Sequence, residues 1–534
     1  MLRILNIRTK VPMEKTLEKL ISYKLHCNWQ DITDICIVRR SIDARRKPRI
    51  YFVFTVDIRL KNEKEVYTRC QEDKDVRRIT EPDPISIVPG PLALSNRPVV
   101  VGTGPAGMAA AFLLAQYGYR PIVLERGCDV DTRTRHVEEF WQTGAFRAAS
   151  NVQFGEGGAG TFSDGKLTTR VNHPLIPMIL KQFVEAGAPE EIMYAYNPHV
   201  GTDILRDVVK NMRHTIEEMG GNVYFNQCVT AVNRDAAGAV RSVTVNDAEE
   251  IPTDIVVLGI GHSARDTYQM LYDKGIVMER KPFAMGVRIE HPQDMIDQSQ
   301  YGCPAAELGL DAADYALVYH DKNGRSAYSF CMCPGGVVVA AASEEGMVVT
   351  NGMSLYHRDS GIANSALVVN VSTEDIGGTG PLAAIAFQRH YERLAFEAAG
   401  SNYCAPAQTV GDFLKRPETD AKPLVYSYKP GVAWVDLHTV LPDFVSATLE
   451  QALPYFGRHI HGFDNSGVVM TGVETRTSAP VRLVRGEDRA ASGVPGLYPI
   501  GEGAGYAGGI MSASIDGMET AIEIINKYKL LEGI

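Results

Sequence analysis

Hydrophobic and polar residues alternate from residue 49 to residue 60, where every second side chain from Ile50 to Ile58 is apolar. This period of two predicts a half-buried strand. The patterns before it predict a strand, an amphipathic helix and another strand over residues 2–8, 14–25 and 32–40. The β-α-β-β order suits a small ferredoxin-like α+β module. The proline-rich stretch that contains Glu81-Pro82-Asp83-Pro84 predicts a stiff linker, so the module is assigned to residues 1–90.

A different pattern begins at residue 97, where the apolar run Val99–Val101 leads into Gly102-Thr103-Gly104-Pro105-Ala106-Gly107. A helix of small apolar residues follows, then a second apolar strand that ends at Glu125. Each part has a role in a βαβ dinucleotide site. The three glycines permit a tight turn, a close approach to the pyrophosphate and close helix packing, and the helix N-terminus faces the phosphates. Glu125 stands where a carboxylate accepts hydrogen bonds from an adenosine ribose.

A second glycine-rich segment, FGEGGAGTFSDGKL, spans residues 154–167. Its amides and hydroxyls suit a loop that wraps a polar ligand, and the alternative is an ordinary surface loop. A helix over 202–219 and strands over 223–225 and 229–233 continue the same domain. Residues 254–264 imitate a second dinucleotide turn, but we interpret them as the strand that closes the first sheet, with its turn near the adenosine.

The last glycine-rich segment lies near the C-terminus, where Gly501-Glu502 ends a strand and Gly508-Gly509-Ile510 begins a terminal helix. A carboxylate at a strand end suits the hydroxyls of a ribityl chain, and the helix directs its positive end at the ligand. NAD has no ribityl chain, whereas FAD has one. The sequence therefore predicts FAD, bound non-covalently.

Residues 283–465 are β-rich and predict an inserted domain that covers the cofactor and builds the substrate pocket. The predicted strands are 284–290, 315–320, 327–332, 336–341 and 366–371, and the predicted helices are 382–399 and 444–455. The cofactor domain is then discontinuous, with residues 95–282 and 466–534.

Six segments together resemble the bacterial family of uncharacterised FAD-dependent dehydrogenases, which belong to the glutathione-reductase-type Rossmann flavoproteins. They are the glycine turn at 102, FGEGGAGTFSDGKL, GHSARDT, SFCMCPGG, TGVETRTSAPVR and GEGAGYAGGIMSASIDG. The resemblance covers nearly the whole chain. It implies an α/β fold with a glutathione-reductase-type FAD domain, a β-rich α+β cap and the small N-terminal module. It also implies that Glu502 binds the ribityl chain and Glu125 the adenosine ribose, and it supplies no substrate.

The predicted FAD-binding residues come from these segments and from the turns that follow the strands. They are Gly102, Gly104, Pro105, Ala106, Gly107, Glu125, Arg126, Gly157, Gly158, Gly160, Thr161, Ser163, Lys166, Leu167, Val229, Gly261, Gly501, Glu502, Gly508, Gly509 and Ile510.

Catalytic residues are harder to assign from the sequence. Cys331 and Cys333 could form a redox pair, but alternate strand residues share a face and free cysteines are commonly small buried hydrophobes. No base or cation lies beside them in the sequence, so we expect no role in turnover. Arg476 could hold an anionic substrate, with an ion pair to Glu474 or Glu502 as the alternative. His262 and His438 are interpreted as ordinary histidines.

Composition and charge narrow the class of protein. The 534 residues contain nine scattered cysteines, an odd number that favours free thiols in a reducing compartment. No motif has metal-ligand spacing, and no run approaches the roughly 20 apolar residues of a membrane span. We therefore expect no metal, no membrane association and a cytoplasmic location.

The predicted activity is hydride transfer between FAD and a small-molecule substrate, with NADH or NADPH as a transient electron donor. The alternative is an FAD-containing nucleic-acid-binding or RNA-modifying factor, because residues 1–90 carry a net charge of +6 and the remainder −16. The basic run at 45–49 fits a solvated hairpin turn better, so we do not expect a nucleic-acid partner. The N-terminal module is expected to be autonomous and not to contact the flavin. The oligomeric state is open.

Overall fold

The structure is a computed structural model that describes residues 1–80, 85–169, 171–322, 324–416 and 422–531. The predicted linker comprises residues 81–84, which lie outside the described residues, and Pro89-Gly90-Pro91, where the N–H of Gly90 donates to the carbonyl of Ile525 at 2.9 Å. Within the described ranges, no helix is both long and apolar enough to cross a membrane.

The N-terminal module is a four-stranded antiparallel sheet covered by two helices. Its elements are β1 (Leu2–Lys10), α1 (Leu17–Leu25), β2 (Ile32–Arg46), β3 (Arg49–Leu60), α2 (Glu63–Arg69) and β4 (Val76–Arg78). The strand order β2-β3-β1-β4 confirms the ferredoxin-like prediction. β2 extends six residues beyond the predicted end, so the basic run forms the hairpin turn between β2 and β3.

The central domain contains a five-stranded parallel sheet in the order β23-β11-β5-β6-β7. Four of its strands are largely buried apolar triplets, as a sheet covered on both faces requires, whereas the edge strand β7 (Asn222–Tyr224) is partly exposed. The elements up to the sheet's fourth strand in the chain are β5 (Val99–Val101), α3 (Pro105–Gln116), β6 (Ile122–Leu124), α4 (Val130–Thr143), α5 (Ile176–Glu185), α6 (Thr202–Glu218), β7 (Asn222–Tyr224), β8 (Val229–Arg234), β9 (Val240–Val245), β10 (Glu249–Pro252) and β11 (Val256–Leu258). Four short 3₁₀ helices in the described residues span Trp29–Asp31, Gly158–Phe162, Glu190–Met193 and Leu437–Thr439.

The position of β11 decides how the second dinucleotide-like turn is used. β11 pairs with β5 and β23, so the strand that precedes this turn belongs to the first sheet, as predicted. The strand predicted at 229–233 exists as β8, but it pairs with β9 and β10 in a separate three-stranded sheet. After β11 come α7 (Arg265–Asp273) and β12 (Met278–Arg280).

The inserted domain is built on a seven-stranded sheet in the order β14-β15-β18-β13-β21-β19-β20. Its elements are β13 (Phe283–Pro292), α8 (Gln293–Tyr301), α9 (Ala305–Leu308), β14 (Val318–His320), β15 (Ser326–Cys333), β16 (Gly336–Ala340), β17 (Thr350–Ser354), β18 (Ile362–Val371), α10 (Ala383–Ala398), β19 (Ala405–Thr409), α11 (Val410–Phe413), β20 (Val432–Trp434), α12 (Asp443–Gly457) and β21 (Val469–Glu474). The chain then returns to the central domain through β22 (Val481–Leu483), β23 (Leu497–Pro499) and α13 (Ile510–Lys527).

The predicted return to the cofactor domain at residue 466 comes too early. β21 pairs with β13 and β19 inside the cap sheet, so the chain leaves the cap only after Glu474. This strand is not predicted from the sequence, because its residues, VMTGVE, include a glycine and do not alternate in polarity.

The N-terminal module has its own apolar core and also packs closely against the rest of the chain, so its autonomy stays a prediction. The backbone of Arg40 in β2 donates to the carbonyl of Tyr194 at 2.7 Å and accepts from the N–H of Tyr196 at 2.9 Å. Its guanidinium lies 3.2 Å from Glu191, and Ile50 is buried in the apolar core of the cap. The module is therefore anchored to both other parts of the molecule.

Candidate cofactor and substrate cavity

A cavity of about 1640 Å³ lies where the central sheet, the cap and the N-terminal module meet. Most of the predicted cofactor residues line it: Gly102, Gly104, Pro105, Ala106, Glu125, Arg126, Gly158, Gly160, Ser163, Lys166, Leu167, Val229, Gly261, Glu502, Gly508, Gly509 and Ile510. The other four are not on its wall, namely Gly107, Gly157, Thr161 and Gly501. Three glycine-rich segments that are far apart in the sequence therefore converge on one space.

The turn after β5 shows why these positions are glycines. Gly102 has φ +93°, and a Cβ there would lie 2.3 Å from the carbonyl oxygen of Gly259. A Cβ on Gly107 would lie 2.0 Å from the carbonyl oxygen of Gly102, so Gly107 serves helix packing. A Cβ on Gly104 would meet only the Cα of Gly158, at 3.9 Å, and Gly104 faces the cavity. The turn thus exposes the backbone of Gly104 to a ligand at the N-terminus of α3.

Glu125 holds the loops of this site together. Its carboxylate accepts hydrogen bonds from the N–H and hydroxyl of Thr103 at 2.9 and 2.7 Å, from the N–H of Gly127 at 2.9 Å and from the N–H of Gly155 at 3.0 Å. These four donors occupy the carboxylate within the protein. The predicted contact with an adenosine ribose is not tested by them and stays a prediction.

Arg126 follows directly and lies on the cavity wall. Its guanidinium forms a bidentate pair with Asp266, at 2.9 and 2.6 Å, and lies 4.3 Å from the ring centre of Phe154. The buried Nε of Arg126 has no hydrogen-bond partner among the described residues. A buried donor on the wall of a large cavity suits a polar ligand.

The second glycine-rich segment is organised by Arg133, which the sequence analysis missed. This fully buried side chain on α4 donates to the carbonyl oxygens of Asn151, Val152, Gly155 and Glu156 at 2.7–3.2 Å. It thereby shapes the loop just before the cavity-lining glycines. A signal existed in the sequence, because Arg133 falls on the same helix face as the buried Val130, Val137 and Phe140.

Asp516 in α13 plays the corresponding part for the C-terminal segment. Its carboxylate accepts from the N–H of Gly501 at 2.6 Å and pairs with Arg485 at 2.6 Å and with Arg489. This fixes the turn that carries Glu502 to the cavity. Gly501 itself contacts Ala106 rather than the cavity, since a Cβ there would lie 2.6 Å from that side chain.

The carboxylate of Glu502 faces the cavity and receives no hydrogen bond from the described residues. Burial raises the pKa of Glu502 to about 7, and Lys281 opposes that rise. Gly508 and Gly509 also open onto the cavity, where a Cβ on either would meet no described atom within 4 Å. The unsatisfied carboxylate fits the hydroxyls of FAD, and the positive N-terminal end of α13 fits the electron-rich edge of its ring.

Arg476 lines the cavity, but its main partner is neither of the acids considered from the sequence. It pairs with Glu392 of α10, at 2.9 Å between Nη2 and Oε2, and donates to the hydroxyl of Ser263 at 2.9 Å. Arg265 binds the same carboxylate at 2.8 Å. Burial alone would raise the pKa of Glu392, yet the two arginines outweigh it and hold that pKa well below its usual range. Arg476 is therefore part of a buried ion cluster.

His262 lies on the cavity wall, although it was interpreted as ordinary. Burial, helped by Arg476 and Arg265, lowers its pKa to about 3, so the imidazole is neutral at physiological pH. It pairs with the hydroxyl of Ser263 at 2.8 Å. A neutral imidazole beside a cofactor cavity is a hydrogen-bonding group whose charge does not change in the physiological range.

Cys331 also lines the cavity, whereas Cys333 is fully buried behind it. The register of β15 shifts between Phe330 and Cys333, so the regular alternation assumed from the sequence is interrupted at this pair. Lys166 donates to the carbonyl oxygen of Met332, and Arg288 donates to that of Cys331 at 2.8 Å. No cation lies beside this pair in the sequence, but the fold brings Lys166 and Arg288 to its backbone.

Within the described residues, no three His, Cys, Asp or Glu side chains are grouped so that they could hold a metal ion. All nine cysteines are free.

Comparisons with known proteins agree with the cofactor prediction. Residues 282–477 match the family described as FAD-dependent protein, C-terminal domain-like, and residues 100–152 match the NAD(P)-binding Rossmann-like domain. Residues 1–59 match a domain of unknown function, DUF8436. A protein of Clostridium beijerinckii, named only "Uncharacterized protein", is 50% identical over 532 residues and 99% of each chain is covered. The chain belongs to the family of this clostridial protein. These matches support FAD as the cofactor of a Rossmann-like flavoprotein.

Solved structures give a more distant likeness. CtdE in complex with FAD is 11% identical, with 80% of this chain and 84% of that chain covered, at a TM-score of 0.31. A geranylgeranyl bacteriochlorophyll reductase-like protein from Thermoplasma acidophilum is 13% identical, with 81% and 78% covered, at a TM-score of 0.36. Similarity at these TM-scores assigns neither a residue role nor a ligand to this chain.

The two glycines of the first turn give a matched pair of variants. We expect Gly104→Ala to fold normally and to lose FAD, because its new methyl group enters only the cavity. We expect Gly107→Ala to destabilise the FAD-free protein by about 1–3 kcal/mol through overpacking against Gly102. Urea unfolding of the FAD-free proteins and FAD titration separate the two effects. Normal FAD affinity in Gly104→Ala would contradict the assignment of this turn.

We expect that lysine cannot replace Arg133, because the three hydrogens of an ammonium group cannot serve four carbonyl oxygens. We expect Arg133→Lys to weaken FAD binding by about tenfold or more, because hydrogen bonds to a charged donor contribute about 1.5–3 kcal/mol each. Arg135→Lys, at an exposed position of the same helix, is the control. Equal FAD dissociation constants for the two variants would show that Arg133 does not shape the site.

The pKa of Glu502 predicts a pH-dependent stability of the FAD-free protein. Because its folded pKa of about 7 exceeds the unfolded value of about 4.3, the unfolded chain releases this proton first as pH rises. The contribution of Glu502 therefore becomes less favourable between about pH 4 and pH 7. We expect Glu502→Gln to be more stable than the wild type by roughly 1–2 kcal/mol at about pH 8 and to match it at about pH 4. Urea unfolding at both pH values, with the exposed Glu487→Gln as control, checks this, and a constant difference would contradict it.

Proposed function

We propose that this protein is an FAD-dependent oxidoreductase that transfers a hydride between non-covalently bound FAD and a small-molecule substrate. The observation that carries the proposal is the convergence of three glycine-rich segments and two helix N-termini on one cavity. A long dinucleotide cofactor is the ligand that needs all of them. The glutathione-reductase-type arrangement belongs to the same proposal.

When bound, FAD supplies the two-electron chemistry. The chain binds and orients it: the turn at Gly104 and the N-terminus of α3 receive the pyrophosphate, and Glu502 receives hydroxyl groups of the ribityl chain. The N-terminus of α13, which lines the cavity, would stabilise negative charge on the reduced cofactor.

Substrate enters beside the cap and the N-terminal module in this proposal. This part of the cavity is lined by aromatic and apolar side chains from all three parts of the molecule, including Tyr194, Tyr196, Phe330 and Val38. Such a lining excludes water from the reacting groups. His262, on the cavity wall beside Ser263, stays neutral and can donate or accept one hydrogen bond without changing its charge.

We also propose that NADH or NADPH is a transient electron donor. The proposed location is the cytoplasm. The free state of all nine cysteines supports the reducing compartment. The alternative function in nucleic-acid binding gains no support from the basic hairpin, because Arg45 is paired with Asp43 at 2.8 Å and Lys47 contacts the carbonyl of Ser299.

The purified protein is expected to be yellow and to release FAD when it is denatured by heat or acid, since no residue is proposed as a covalent link. Anaerobic addition of NADH or NADPH should bleach the oxidised flavin spectrum. Colourless protein that takes up no FAD on reconstitution would refute the cofactor, whereas bound FAD that neither nicotinamide reduces would refute only the donor.

A further inference from the structure

The cap strand β15, which reaches the cavity wall at Cys331, carries a pair of thiols in different environments. Cys331 is half-buried and faces the cavity, and Cys333 is fully buried. The thiol of Cys333 has one proton, which it donates to the carbonyl oxygen of Cys331 at 3.3 Å and which it can donate to the sulfur of Cys331 instead when that sulfur is ionised. The sulfur of Cys331 is accessible from the cavity, and that of Cys333 is buried beside it.

The charges around the Cys331–Cys333 pair come from four separate segments. They are Asp164, Lys166, Arg288, Arg358 and Glu474. The two acids are each paired: Asp164 with Arg358 at 2.6 Å and with Lys166 at 2.8 Å, and Glu474 with Arg288 at 2.9 Å. The cations are therefore one more than the acids, and Lys166 and Arg288 both donate to backbone carbonyls within the Cys331–Cys333 segment.

This environment favours a thiolate on Cys331. The hydrogen bond from Cys333 lowers the pKa of Cys331, and Arg288 and Lys166 lower it further, against the opposing effects of burial and Asp164. The same hydrogen bond raises the pKa of Cys333, as does its burial. An accessible thiolate with a protonated thiol behind it is the arrangement of an attacking and a resolving cysteine.

We propose that Cys331 and Cys333 form a thiol–disulfide exchange site on the cavity wall, with Cys331 as nucleophile, Cys333 as resolving thiol and a small disulfide as substrate. The Cys331 thiolate attacks one sulfur of the disulfide RSSR, forms a mixed disulfide and releases RS⁻, which takes a proton from water. Cys333 then loses its proton to water and attacks the sulfur of Cys331, which closes the Cys331–Cys333 disulfide and releases the second thiolate. The two cysteines lose two electrons, and RSSR gains them as two thiols.

The site is independent of the hydride transfer proposed above, because the two cysteines supply both electrons of one exchange. It also reverses the sequence-based expectation that this pair has no chemical role. That expectation relied on regular strand alternation and on the absence of cations nearby in the chain, and the register shift of β15 and the positions of Lys166 and Arg288 remove both premises.

Alkylation of the native full-length protein with iodoacetamide, followed by peptide mass spectrometry, tests the nucleophile. Cys36 is the internal reference because it is exposed and its pKa is raised by burial and by Asp57. We expect Cys331 to react at about pH 6 about tenfold or more faster than Cys36, although Cys36 is more accessible. The Lys166→Met variant should slow Cys331 several-fold and leave Cys36 unchanged. Equal or slower labelling of Cys331 in the wild type would overturn the proposal.

A limiting amount of dithiobis-nitrobenzoate tests the resolving role. In the wild type, each reacting Cys331 should release two thionitrobenzoate ions and leave a Cys331–Cys333 disulfide peptide. Cys333→Ser should release one and retain the mixed disulfide on Cys331, and Cys331→Ser should leave Cys333 unlabelled. A mixed disulfide that persists in the wild type, or labelling of Cys333 in Cys331→Ser, would refute the assignment. The far-ultraviolet circular dichroism of each variant shows that the comparison is made on folded protein.

Discussion

The carboxylate of Glu125 is the group on which the cofactor cavity depends. It is only 4% exposed, and a buried carboxylate needs hydrogen-bond donors to offset its lost hydration. It obtains them from three loops: Thr103 after β5, Gly127 after β6 and Gly155 in the second glycine-rich segment. These loops are far apart in the sequence, and a single acid at the end of β6 fixes their separation. The contact of Gly158 with Gly104, where a Cβ on Gly158 would lie 2.9 Å from the Cα of Gly104, follows from that separation.

A second buried carboxylate, that of Glu392, connects the cap to the central domain. Arg265 reaches it from α7 of the central domain, and Arg476 reaches it from the segment that leaves the cap. A buried ion pair contributes little net stability because desolvation offsets the attraction, but breaking it would leave an uncompensated charge. The cluster therefore defines one relative position of cap and sheet. Because Arg476 and the neighbouring Ser263 also line the cavity, the same interaction sets the shape of the cofactor space.

The sequence predicted the elements well and the connections between them less well. The parallel strands and the module's hairpin were predictable because their apolar patterns are local, as the identical bounds of β3 show. β21 was assigned to the wrong domain because the residues of one strand do not show which strand it pairs with. Within the site, glycine turns report directly on a ligand, so most of the cavity residues were found. Arg133 and Asp516 were not found, because they act by shaping backbone turns at a distance in the chain.

The N-terminal module shows what local patterns leave open about function. Its charge and proline-rich boundary suggested a separate binding unit, yet Val38 and Arg39 of β2 lie on the cavity wall. The guanidinium of Arg39 stacks 4.3 Å from the ring centre of Tyr196, in the segment that pairs with the backbone of Arg40. An edge strand has free N–H and C=O groups, and here β2 uses them to hold residues 194–196, which line the cavity. The module is thus part of the cavity wall through the side chains that β2 presents there, whatever its net charge.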